Sequence, residues 1–148
     1  MFRTIFPRAF VAALAFLSII NLLPANAAVV RHAELPELVS ISNIVVHGIV
    51  SQTYSGQQKG FFTGIELEIL TLLKGSTANV DVMTIELPGG ANGRMRQELS
   101  GMPHLIPGDE VVLLLERTPQ GRHIFTGLSQ GVYFVLRGEQ RTLAIRDL

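Results

Sequence analysis

Residues Ile44 to Ser51 read IVVHGIVS, a run of β-branched and apolar side chains broken by His47 and Gly48. Branched side chains are stiff and fit a pleated, packed surface, so the run predicts a buried strand. Glycine in a strand interior weakens it unless the chain bends or bulges there. Gly48 therefore predicts a first strand that curls between two sheet surfaces, which is how a small barrel or sandwich begins.

Moving toward the C-terminus, Tyr54 to Gly60 (YSGQQKG) is polar and predicts a loop. Phe61 to Leu73 alternates, with Thr63, Ile65, Leu67 and Ile69 on one face and Glu66 and Glu68 on the other, the pattern of a half-buried strand. Lys74-Gly75-Ser76 ends it, and Val80 to Leu87 predicts the next strand. Val111 to Leu115 (VVLLL) is the most apolar segment and predicts a central strand. Pro119-Gln120-Gly121 predicts a turn into a strand at His123 to Gly127, because proline presets φ and glycine permits positive φ. Tyr133 to Leu136 and Thr142 to Ile145 predict a closing hairpin around Gly138. Toward the N-terminus, Glu34 to Ser42 (ELPELVSIS) predicts one short helix, with Pro36 in its first turn and Leu35, Leu38 and Val39 on one face. The fold class expected is mainly β: a small antiparallel barrel or sandwich of five or more strands with one short N-terminal helix.

The first residues predict the compartment. Arg3 and Arg8 precede an apolar run from Phe10 to Leu23, and Ala25-Asn26-Ala27 fits the small-x-small pattern of signal peptidase sites. The run is shorter than the roughly 20 residues that span a bilayer, which disfavours an uncut anchor. The expected organisation is a signal peptide at 1–27 and a single domain at 28–148 that starts at Ala28. The product is expected in the periplasm or secreted, with no stable membrane anchor after cleavage. The chain contains no cysteine, so lipidation at the cleavage site, disulfides and thiolate chemistry are excluded, and the hydrophobic core must supply the stability. Twelve Lys and Arg balance twelve Asp and Glu. Loss of Arg3 and Arg8 leaves the domain slightly acidic, without the basic footprint that nucleic acid requires.

Catalytic signals are weak. His32, His47, His104 and His123 lie far apart in sequence, outside zinc-type spacing. Ser100-Gly101 and Ser129-Gln130-Gly131 lack the flanks of a nucleophile elbow. Asp109 and Glu110 are adjacent on a predicted strand and so point to opposite faces, and Gly89-Gly90 and Gly93 match no phosphate-binding fingerprint. The expectation is a non-enzymatic module with no catalytic residues, metal or cofactor. The binding signal lies in Pro88 to Pro107 (PGGANGRMRQELSGMPHLIP), a loop too long for a mere connection. It displays Arg94, Met95, Arg96 and Met102, residue types enriched at protein interfaces, and part of it is expected as an edge strand anchored to the barrel by Leu99 and Leu105. The alternative is a small-ligand or glycan-binding domain.

The order of motifs also carries a resemblance. Ile44-Val45-Val46-His47-Gly48-Ile49-Val50 is followed by Leu72-Leu73-Lys74-Gly75, Leu87-Pro88-Gly89-Gly90 and Gly101-Met102-Pro103. Then come Pro107-Gly108-Asp109-Glu110-Val111-Val112-Leu113-Leu114-Leu115 and Gly127-Leu128-Ser129-Gln130-Gly131. This series resembles a group of secreted bacterial domains that are similar to the OB-like barrel of netrin modules and tissue inhibitors of metalloproteinases. The resemblance implies an OB-like barrel with Gly48 at the bend of its first strand, and an unidentified exported protein, an extracellular metalloprotease above all, as partner. The inhibitors hold the catalytic zinc with an N-terminal cysteine; this chain has none, and that mechanism does not carry over.

Overall fold

The helix and strands follow from the residues that cap and cover them, in a computed structural model that describes residues 31–57, 60–77, 80–98 and 100–146. The predicted leader, the Ala28 start and the Leu99 anchor lie outside these residues. Helix α1 (Leu35–Ile41) carries a proline in its first turn and buries Leu38. Its C-terminal carbonyls are collected by Lys74, whose Nζ donates to Val39 O at 2.6 Å, Ser40 O at 3.3 Å and Ser42 O at 2.7 Å. A cation on the last carbonyls satisfies groups that the helix leaves unbonded.

Strands β1 (Ile44–Gln57) and β2 (Phe61–Lys74) are 14 residues each and pair antiparallel. The register steps between His47 and Gly48, whose partners are Thr71 and Ile69, so the extra residue of the bulge is Leu70 on β2. An irregularity does fall at Gly48, as a bulge whose inserted residue is on the opposite strand. A side chain at Gly48 would strike the Glu68 carbonyl oxygen and lie 2.9 Å from Leu67 Cγ, so the paired strands approach this closely only over glycine.

Strands β3 (Val82–Pro88), β4 (Gly90–Asn92), β5 (Met95–Gln97), β6 (Glu110–Arg117), β7 (His123–Phe125), β8 (Val132–Arg137) and β9 (Thr142–Arg146) follow. One seven-stranded antiparallel sheet runs β3-β2-β1-β6-β8-β9, with β7 on β6, and β4 and β5 form a separate hairpin. One face of the sheet holds the main core, with Val46, Ile65, Leu67, Ile85, Leu113 and Leu115 all at most 1% exposed. Each such side chain contributes about 1.5–3 kcal/mol by leaving water. The other face carries a smaller cluster, where α1 sets Leu38 on Val45 and Leu114. The sheet curls until β3 lies beside β7, and Arg122 Nη1 donates to Glu86 Oε2 at 3.2 Å across that junction. Among the described residues no ladder joins β3 to β7.

Three local expectations change. The polar stretch after Ser51 continues as strand to Gln57, because each aromatic ring covers the glycine opposite: Tyr54 lies over Gly64 and Phe62 over Gly56. The two rings meet edge to face at 6.3 Å. The strand at His123 stops at Phe125, and a 3-10 turn follows at Leu128–Gly131. Gln130 in that turn accepts from Ala33 N at 2.7 Å and donates to Arg31 O at 3.0 Å, holding the segment before α1. Finally, the Pro88–Pro107 segment, expected as a long loop with part of it as an edge strand of the barrel, contains instead the separate β4–β5 hairpin.

Candidate functional site

The Pro88–Pro107 excursion is fixed at several points along its length. At its start, Gly89 N donates to Phe61 O at 2.9 Å and Thr63 Oγ1 donates to Gly89 O at 3.1 Å. Asn92 Nδ2 donates to Gln57 Oε1 at 2.6 Å, tying β4 to the end of β1. Farther on, Ser129 N donates to Gly101 O at 3.2 Å. Leu105 is buried in the core as the sequence predicts, and Met102 packs against it. The return into β6 is closed by Gly108 N donating to Val50 O and Val50 N to Asp109 O, while the Asp109 carboxylate accepts from Ile106 N.

Between these anchors the hairpin turns at Gly93-Arg94, with β4 lying against β1 and β2. Arg94, Met95 and Arg96 are exposed, Met95 at 60%. Arg96 Nη2 lies 2.6 Å from Glu98 Oε1. Met102, the fourth predicted binding residue, is half-buried and lies off the hairpin, although it shares a groove with Arg96. It lines a groove of about 600 Å³ between the excursion and the ends of β1 and β2. The hydroxyls of Thr53, Ser55 and Thr63 line the same groove, with apolar Ile65 and Leu87 and polar Arg96, Glu98 and His104. The structure thus brings three predicted residues together on the hairpin and sets the fourth at its foot.

A second polar cluster lies on the sheet face that carries α1. His47 Nε2 is 2.8 Å from Glu110 Oε1, and Arg137 donates to both oxygens of the same carboxylate, from Nε to Oε2 at 2.7 Å and from Nη2 to Oε1. The Glu110 side chain is 16% exposed. First Arg137 and then His47 hold its carboxyl at about 2, well below the usual 4.5. A carboxylate so fully engaged is a poor base, and the cluster fastens β1, β6 and β8 to one another. Sequence reasoning missed it, because His47, Glu110 and Arg137 are joined only by the strand register. The remaining histidines are scattered: His32 is 3.6 Å from Glu34, His104 lines the groove, and His123 sits between β3 and β6. Burial, then the Arg117 charge, lowers the His123 pKa against a backbone hydrogen bond at Thr84. Among the described residues no three His, Asp or Glu side chains gather into a group able to hold a metal ion. Compared with known proteins, the chain matches no family model, no curated protein and no solved structure.

Proposed function

We propose that this chain is an exported, non-enzymatic binding module, an OB-like barrel that presents its Pro88–Pro107 excursion to a protein partner. One observation carries the reading: the β4–β5 hairpin is anchored before and after, yet Arg94, Met95 and Arg96 are turned to solvent. A loop held in place beforehand loses little freedom on binding, so more of its contact energy becomes affinity. Arginine and methionine at its tip suit an interface core. The barrel reading is supported by the approach of β3 to β7 at the open end of the sheet order. An extracellular metalloprotease is the partner class that the sequence resemblance implies. Affinity capture from the periplasmic and secreted fractions, with the wild-type chain beside an Arg94→Ala, Met95→Ala, Arg96→Ala variant, tests it. A protein retained by the wild type and lost from the variant is the expected result; identical captures would remove the hairpin from the interface.

A second reading, binding of a glycan or other small polar ligand, is favoured by the groove, whose volume falls in the range typical of ligand sites. Its lining hydroxyls offer hydrogen bonds, and Tyr54 is the aromatic residue at its rim. Thr53→Val and Ser55→Ala on a glycan array separate the readings. A glycan lost with these changes and kept in an Arg94→Ala, Met95→Ala variant, which spares the groove residue Arg96, would favour the groove.

A further inference from the structure

We propose that β9 is a dimerisation edge, along which two copies of this chain pair antiparallel about Ala144 into one continuous sheet; the inference is independent of the partner surface above. β9 is last in the sheet order and, among the described residues, its ladder runs to β8 alone. At the turn before it, Gly138 N donates to Arg141 O at 3.0 Å. Bonding alternates along an antiparallel pair, so Leu143 and Ile145 bond inward to β8, while Thr142, Ala144 and Arg146 turn their backbone groups outward. Such a row is a template for another strand.

Several devices that protect an edge are missing from β9, and its one charged side chain, Arg146, is drawn back onto the Tyr133 ring. Its residues Thr-Leu-Ala-Ile-Arg include no proline and no lysine, and its ladder with β8 runs without a bulge. The opposite edge strand, β3, has β7 beside it. On one face of the β8–β9 hairpin, Leu136, Leu143 and Ile145 are 51%, 42% and 44% exposed. Leu136 pairs with Leu143, and Phe134 with Ile145, so these side chains form one apolar strip.

A second copy is the occupant that fits, because the segment is complementary to itself. Antiparallel pairing about Ala144 sets Leu143 opposite the second copy's Ile145 and joins the two apolar strips. It sets Thr142 opposite the second copy's Arg146, so no like charges meet. Arg146 is already held, 5.2 Å over the Tyr133 ring and donating to its hydroxyl.

Sedimentation equilibrium of the chain from Ala28 onward, which contains the whole described core, should show a concentration-dependent monomer–dimer equilibrium. Thr142→Glu places an acid opposite Arg146 and should tighten the dimer about tenfold, and Thr142→Arg should weaken it about tenfold, through two symmetry-related pairs acting together. Ala144→Pro removes an outward N–H without touching the β8 ladder and should leave a folded monomer by circular dichroism. Should that variant fail to fold, the exposed Thr142 pair still decides. A monomer at every concentration, or a dimer indifferent to the charge at position 142, would overturn the proposal.

Discussion

The sheet framework and the Pro88–Pro107 excursion use their side chains in opposite ways. In the framework, motif residues are consumed by the fold. Lys74 closes the end of α1, Gln130 holds the segment before it, Gly48 lets β2 approach β1 closely, and Glu110 binds His47 and Arg137. In the excursion, the backbone and a few apolar anchors do the holding, and the hairpin side chains face water. Gly48, Lys74, Glu110 and Gln130 thus serve architecture, and side chains free for a partner are found at the hairpin tip, where the apolar period is absent.

The comparison breaks first if the framework tolerates change. Leu113 is fully buried at the centre of β6. Leu113→Ala should cost about 2–5 kcal/mol in denaturant unfolding, the range for emptying a packed core position. A loss under 1 kcal/mol would mean that the core is elsewhere. Gly48→Val should cost about 1–3 kcal/mol by the same measurement, because the new side chain meets the Glu68 carbonyl and Leu67. Wild-type stability in that variant would show that the strands do not need glycine to approach this closely.

Acid sharpens the same contrast. The folded state holds the Glu110 carboxyl at about 2 instead of 4.5, so the folded chain prefers the charged form. The stability this provides is present in full above pH 4.5 and is lost as the pH falls toward 2. Glu110→Gln should therefore lose less stability than the wild type between those values, measured as denaturant midpoints. Arg137→Ala should raise the Glu110 titration seen by carboxyl NMR. Equal acid profiles for wild type and Glu110→Gln would show that the cluster fastens nothing.

Much of the framework was legible in the sequence, because burial imposes a period. Thr63 to Ile69 alternates as its sheet faces do, with Ile65 and Leu67 in the core, whereas from the Leu70 bulge onward Leu70, Leu72 and Leu73 are exposed. The helix at Glu34 to Ser42 forms over Leu35–Ile41, and the closing hairpin pairs as β8 and β9. The extension of β1 to Gln57 was not legible. It depends on Tyr54 and Phe62 each covering a glycine on the neighbouring strand, and a polar one-dimensional pattern carries no trace of that. The β4–β5 hairpin was hidden for a related reason, since its short strands bury almost nothing and so have no apolar period. Of the predicted binding residues, Arg94, Met95 and Arg96 share the hairpin, whereas Met102 is drawn toward the core because a methionine beside Leu105 gains more from burial than from exposure.

The smallest expected effect is also the most direct test of the account. Arg94→Ala, Met95→Ala and Arg96→Ala made together should leave unfolding stability within about 0.5 kcal/mol, since all three side chains are exposed. Titration calorimetry of the same variant against the captured partner should show a loss of at least about 2 kcal/mol of affinity, one interface hot spot's worth. Unchanged affinity in a variant of unchanged stability would contradict the claim that the excursion is the partner surface.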